Sequence, residues 1–317
     1  MGDFQFHRAE RRGVPALIGL WGPSNAGKTF TALLIARGLV GPQGKIGLLD
    51  TENGRALFYS DLAGGWDHLD LQPPFTPERY SSAFESGQQY GAIIVDSASH
   101  VWEGEGGVLD MADRSTSGGL LKWQQPKMAY KRMVNKLLRS PSHVIFCLRA
   151  KDGVKQTGSG KSASIATIGA QPICGKGFIF EMTVSVLLGP DHCPAFQGEG
   201  EKVHCDPLIP AVKAPEALAG IFHRGQPLGV EAGEEIAKWI AGGVVVDHAK
   251  ISAERVARDV ATMGTDKLAL HWRSLSKGDQ RTLAPIKEEL KSIASEADRE
   301  ESQRGPEPDQ ETGEVPL

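Results

Sequence analysis

From Ala16 onward, short apolar runs alternate with longer stretches of helical periodicity, the pattern of parallel βαβ units whose helices cover both faces of a sheet. ALIGLW (Ala16 to Trp21) predicts the first strand, Phe30 to Leu39 a helix, and KIGLLD (Lys45 to Asp50) the second strand. A short LDLQ segment follows, then a helix over Pro77 to Gln89 with proline in its first turn, where the missing N–H has no helical partner anyway. GAIIVDS (Gly91 to Ser97) is continuously apolar and ends in an acid. Such a run needs burial on both faces, and we expect it beside the first strand. Gln124 to Ser140 predicts a basic helix with Met128, Met133, Leu137 and Leu138 as its core-facing stripe. His143 to Leu148 predicts a further buried strand, Phe178 to Leu188 another, and Cys193 to Cys205 a hairpin.

Two intervals break this rhythm. Trp102 to Gly119 is rich in glycine and charge, and Asp152 to Gly177 is a run of Gly, Ser, Thr and Lys too long for an ordinary connection; loops of that length are functional or disordered. Beyond about residue 230 the pattern becomes helical, with one amphipathic helix in GVEAGEEIAKWIAGG and three more over residues 250–295. The expected organisation is an N-terminal arm (1–13), an α/β core with a mostly parallel central sheet (14–230), a small helical module (231–295) and a disordered acidic tail (296–317). No internal repeats are present.

Composition adds exclusions. A chain of 317 residues fills a real core. No apolar run approaches the roughly 20 residues that span a bilayer, and MGDFQFHRAERR carries neither a signal-peptide apolar stretch nor the Ser or Thr that a myristoylation signal wants at its sixth position. The expectation is a cytoplasmic protein with no membrane partner. The four cysteines are widely spaced and expected as reduced thiols. His192-Cys193 and His204-Cys205 could hold zinc, but neighbouring side chains on a strand point to opposite faces, so a hairpin is the better account.

The net charge of −4 hides a strong asymmetry. Between Arg114 and Lys176 there are twelve basic residues against one acid, Asp152, giving +11. From Glu296 to the end there are eight acids against Arg299 and Arg304, giving −6. The two regions call for different partners.

Specific chemistry enters at Gly22-Pro23-Ser24-Asn25-Ala26-Gly27-Lys28-Thr29, a full match to G-x-x-x-x-G-K-[ST] between a predicted strand and a predicted helix. Backbone N–H groups of such a loop converge on phosphate at a helix N-terminus, Lys28 reaches the β and γ phosphates, and the Thr29 hydroxyl ligates Mg²⁺. Asp96, ending its strand, is the second expected magnesium ligand.

With GLLDTE, IIVDS and VIFCLRAK following the loop in order, residues 14–190 resemble the RecA-type ATPase core. The resemblance implies an ATP and Mg²⁺ site in which the acid polarising the attacking water ends the second strand, in an aliphatic-D-x-E pattern. Asp50-Thr51-Glu52 matches it, so Glu52 is the candidate catalytic base; Asp96 is followed by Ser97 and not by Glu. Where the family places a γ-phosphate sensor this chain has Leu148-Arg149-Ala150-Lys151. Arg149 or Lys151 is then a sensor in its own site, a finger into a neighbouring subunit's site, or a DNA contact. More narrowly, the chain resembles the shortened RecA/RadA-like ATPases of bacteriophages (AAA-family, Sak type), which implies single-strand annealing or homologous recombination, in the host cytoplasm if phage-encoded.

RecA-like recombinases bind single-stranded DNA through mobile loops after the second and third of these strands, and both intervals here are Gly-rich and fall around the +11 segment. Arg114, Lys122, Lys127, Lys155, Lys161 and Lys176 are the candidate DNA contacts, with Trp102 and Trp123 as possible stacking partners. A solvated basic helix face is the alternative for Lys127, Lys131 and Arg132. The resemblance further implies homo-oligomers, as ring or filament. The tail, ending Glu314-Val315-Pro316-Leu317, is either a docking segment akin to those of single-strand-binding proteins, a competitor for the basic loops, or plain solubilising disorder. Two other functions compete: a RecA-like ring helicase, loader or packaging motor, and a nucleotide-dependent scaffold in which hydrolysis is vestigial.

Overall fold

The computed structural model describes residues 14–157, 164–195, 208–223, 225–242 and 248–304. The chain forms two compact units, residues 1–249 and 250–317.

The first unit is built on β1 (Leu17–Gly22), α1 (Lys28–Val40), β2 (Ile46–Asp50), β3 (Asp67–Asp70), α2 (Pro77–Glu85), β4 (Ala92–Asp96), α3 (His100–Glu103), α4 (Val108–Asp113), α5 (Gln124–Leu138), β5 (His143–Thr157), β6 (Ser164–Pro172), β7 (Val184–Leu187), β8 (Val212–Lys213) and α6 (Val230–Ile240). The sheet runs β3-β2-β4-β5-β1-β7-β8, parallel throughout except for β8, with β6 paired to the outer half of β5. Strand alternation divides the core into two layers. Ile18, Leu20, Ile94, Ile145 and Cys147 face α1 and α6, while Trp21, Val95, Phe146 and Leu148 face α2 and α5. This is the α/β class expected, a mostly parallel sheet flanked by helices.

Several expectations are corrected. β4 lies beside β2 and β5, not beside β1; β5 stands between the loop-bearing strand and the strand ending in Asp96. Local apolarity shows that a strand is buried but carries no information on its neighbours, which are fixed by crossover connections. The Asp152–Gly177 interval is largely a two-stranded ribbon: β5 runs on to Thr157 and β6 returns antiparallel, with a bulge at Gly153/Val154. The segment read as one strand from Phe178 is a 3-10 turn over Phe178–Glu181 followed by the shorter β7. On α5 the buried stripe is Pro126, Ala129, Tyr130, Met133 and Leu137; Met128 is exposed and Leu138 only partly buried. The expected hairpin through Cys205 falls mostly outside the described residues; Leu188 and Pro194 do form an antiparallel bridge.

The amphipathic helix assigned to the C-terminal module, α6, belongs with the first unit: Ala232, Ile236 and Ile240 pack with Ile35 and Leu39 of α1. The second unit comprises α7 (His248–Ala261), α8 (Thr265–Ser274), α9 (Lys277–Leu283) and α10 (Lys287–Arg304) around a small core of Ala257, Ala261, Leu268, Leu283, Leu290 and Ala294. The third expected helix there is split by a 3-10 turn at Ala284–Ile286, where Pro285 interrupts the ladder. The tail predicted to be disordered from Glu296 is helical through Arg304; its remainder lies outside the described residues, as does the N-terminal arm. Among the described residues no helix is long and apolar enough to cross a membrane.

Candidate nucleotide and nucleic-acid sites

The sheet's parallel strands end together at their carboxyl edge, where Gly22 stands opposite Arg149 and Asp50 opposite Asp96. Ligands of open α/β sheets bind at this edge. The loop from Gly22 to Thr29 leaves β1 and enters α1 through Gly27 in the left-handed region (φ 75°), a conformation that costs a residue without a Cβ nothing. Pro23, Ser24, Asn25 and Ala26 form the turn, and Gly27, Lys28 and Thr29 at the start of α1 line the pocket.

Within this loop Lys28 Nζ donates to the carbonyls of Gly22 (3.1 Å) and Pro23 (2.7 Å), so the ammonium already lies over the phosphate cradle. Burial lowers its pKa, and the Asp96 and Glu52 carboxylates oppose that shift. Thr29 Oγ1 donates to Asp96 Oδ2 at 2.5 Å, which ties the loop directly to β4. Burial pushes the Asp96 carboxyl up to about 6, relieved in part by the Thr29 hydroxyl. A hydroxyl and a buried carboxylate brought together are two hard oxygen donors of the kind magnesium takes, and a cation would relieve the carboxylate's desolvation. ATP and Mg²⁺ therefore fit the residues present, and Lys28, Thr29 and Asp96 are the side chains that would hold them.

Glu52 faces this pocket, a cavity of about 410 Å³ also lined by Lys28, Thr29, Asp96 and Arg149. Its carboxylate is held from several directions. Arg149 donates from Nε (3.0 Å) and Nη2 (2.8 Å) to Oε1, Arg55 approaches Oε2 at 3.8 Å, and His100 Nε2 stands 3.9 Å from Oε1. The turn beneath Glu52 is fixed by Asp50, fully buried, which accepts the N–H groups of Glu52 (2.6 Å) and Ala56 (3.2 Å) and contacts His68 Nε2 at 3.1 Å. Thr51 links this turn to β4: its Oγ1 accepts the Ser97 N–H (2.8 Å) and meets His100 Nδ1 at 2.8 Å. The Asp96–Ser97 peptide is cis.

The structure thus gathers the eight loop residues, Glu52, Asp96 and Arg149 at one edge. Lys151 is not with them: it is exposed, opposite Gln171 in the ribbon, and does not line the nucleotide pocket. Sequence reasoning missed His100, which stacks on Phe75 (5.1 Å between ring centres) beneath Glu52; a lone histidine after the strand carries no signal of its own. It also missed His192, whose ring would stand 3.2 Å from a Cβ at Gly27, so it roofs the loop. No cluster of three metal-ligating side chains occurs among the described residues, and His204 and Cys205 lie outside them.

The candidate DNA contacts divide. Lys127 and Lys176 line a second cavity together with Lys131, and the ammonium groups of Lys122 and Lys127 both lie over the Trp123 ring (5.5 and 5.4 Å). Lys122 also pairs with Asp113 (3.0 Å) and Arg114 with Asp110 (2.8 Å), so these two are partly neutralised. Lys155 lies on β5, and Lys161 falls outside the described residues. Two connections lead from the nucleotide pocket toward this region. Arg149 and the ribbon share β5, and α3 carries His100 beside Glu52 and, two residues on, Trp102 in the wall of the second cavity. Ser99 joins them, accepting the Arg149 N–H (2.9 Å) and donating to the Ile173 carbonyl (2.8 Å) just beyond β6.

No family model matches the chain, and no curated protein matches it. Among solved structures it is similar to the KaiC-like protein PH0186 of Pyrococcus horikoshii OT3, at 10% identity over 53% of this chain and 89% of that one, with a TM-score of 0.27. It is likewise similar to the flagellar accessory protein FlaH of Methanocaldococcus jannaschii, at 12% identity over 50% and 77% of the two chains, with a TM-score of 0.26. The fold assignment rests on the chain's own sheet order and on the phosphate-binding loop between β1 and α1.

Proposed function

We propose that this chain is an ATPase that binds single-stranded DNA in homologous recombination or single-strand annealing, hydrolysing ATP to ADP and phosphate with Mg²⁺. The observation that carries the reading is the pairing of Glu52 with Arg149: the carboxylate suited to polarise a water is held by a cation on the strand that continues into the basic ribbon. Lys28 and the loop N–H groups hold the triphosphate, Thr29 and Asp96 hold the metal, and Glu52 accepts the proton of the attacking water. Mg²⁺, when bound, would polarise the γ-phosphoryl group; the chain's residues supply position and charge neutralisation. Lys122, Lys127 and Lys176 neutralise strand phosphates with release of counterions.

Self-association into a ring or filament belongs to this reading. Phe58, 88% exposed, and Tyr59 line the nucleotide pocket and favour a covering surface there. The test is ATP hydrolysis and DNA binding measured side by side for wild type, Lys28→Ala and Glu52→Gln. The proposal expects DNA-stimulated turnover in the wild type alone. Strand displacement coupled to turnover would instead favour a helicase or motor, and full activity of Glu52→Gln in annealing would favour a scaffold.

A further inference from the structure

The second cavity, about 570 Å³, lies where the two Gly-rich intervals meet across α5. Trp102 opens the first interval and Trp123 ends the 3-10 turn just after it, Lys176 and the Gly175 backbone come from the second, and Tyr130 and Lys131 from the helix between them. It shares no lining residue with the nucleotide pocket. Its size is that of a small-molecule site, not of a packing defect.

The wall is built in advance of any ligand. Trp102 meets Tyr130 edge to face with centroids 5.2 Å apart, and the Tyr130 hydroxyl accepts the Gly175 N–H at 3.2 Å, so the lip is pinned to α5. A Cβ at Gly175 would stand 2.5 Å from Tyr130 and 3.0 Å from Trp102; glycine lets the backbone close over the rings. Trp123 is only partly buried, with two ammonium groups over it. Around this aromatic interior stand Lys127, Lys131 and Lys176 against one acid, Glu181.

We propose that this cavity receives an unpaired nucleobase of a bound single strand, stacked against Trp102 or Trp123, while Lys127, Lys131 and Lys176 engage the flanking phosphates. This deepens the DNA-binding reading above and rests on it. The chemistry selects the ligand. Aromatic walls suit a flat heterocycle of any sequence, and the cationic rim suits one carried on a polyanion. A base within a duplex is stacked on both faces and paired, and must be extruded at a cost before it enters, so the pocket also distinguishes single from double strands.

The test compares the full-length protein's affinity for a single strand, for a strand of equal length lacking bases, and for free deoxyadenosine monophosphate, following tryptophan fluorescence and anisotropy. The proposal expects the intact strand to bind at least about tenfold more tightly than the abasic one, as base–aromatic stacking energies imply. Trp123→Ala and Trp102→Ala should remove most of that difference, and Trp123→Phe, which keeps a stacking ring, should retain it. Lys176→Ala should weaken both strands alike. Equal binding of intact and abasic strands overturns the base pocket while leaving DNA binding intact. Binding of neither strand overturns the DNA reading and the pocket with it. Free monophosphate quenching the tryptophans as well as the strand does overturns the strand as the source of the base.

Discussion

Arg149 places two guanidinium nitrogens on a single oxygen of Glu52, Oε1, at 3.0 and 2.8 Å, across 97 positions of sequence. A carboxylate so engaged is held in one orientation at the pocket wall. Glu52→Gln keeps the shape and removes the basicity. Turnover should fall at least about 100-fold, in the range a general base supplies, with nucleotide affinity nearly unchanged. Single-turnover hydrolysis and a fluorescent-nucleotide titration separate the two, and retained turnover would exclude Glu52 as the base.

Arg149 itself stands in the pocket wall, where on the proposed reading its guanidinium would meet negative charge developing on a transferred phosphoryl group. Lysine keeps the charge but not the two-pronged grip. Arg149→Lys should therefore lower kcat about tenfold or more while leaving KM for ATP within about twofold, since the interaction acts in the transition state. A matching rise in KM would make it a ground-state contact instead.

Asp96 gives a stability signature with a definite sign. Its folded carboxyl holds a proton up to about 6, above the ordinary value of 3.8, because burial penalises the charge. The folded chain thus binds more protons than the unfolded one between these values, so metal-free stability falls as pH rises through that window and the deficit is complete above it. Asp96→Asn should melt higher than wild type in chelator at neutral pH, by up to about 3 kcal/mol, with the gap closing near pH 4. It should also lose the protection that magnesium nucleotide gives the wild type. Thermal melts across pH measure both; a less stable variant at neutral pH in chelator would contradict the account.

His100 connects Glu52 to α3 and so to Trp102. As a positioning residue it should matter most to coupling: His100→Ala is expected to cut the ratio of DNA-stimulated to basal turnover at least about threefold, the loss of one modest contact. An unchanged ratio would remove α3 from the connection.

The residues that line the candidate nucleotide pocket could be picked out because their signals are local. Gly22 to Thr29 must be contiguous to wrap a phosphate, Asp96 ends its own apolar run, and Glu52 lies two residues beyond the end of β2. What sequence did not reveal depends on partners distant along the chain. The ribbon looked like a loop because Lys151 to Thr157 and Ser164 to Pro172 lack the apolar alternation of a half-buried strand; mutual backbone pairing, with little core beneath, makes them strands. Likewise β5 enters between β1 and β4, a choice of tertiary topology. His100 and the Trp102–Tyr130–Gly175 contact needed three separate segments to meet before either could be seen.

Steady-state ATP hydrolysis with and without saturating single-stranded DNA, repeated across salt concentration, tests most directly whether the triphosphate pocket and the basic intervals are coupled. The account predicts turnover raised severalfold by DNA, with the stimulation fading as salt displaces the strand from its lysines. Identical turnover with and without DNA at low salt, under conditions where the strand is shown to be bound, would contradict it.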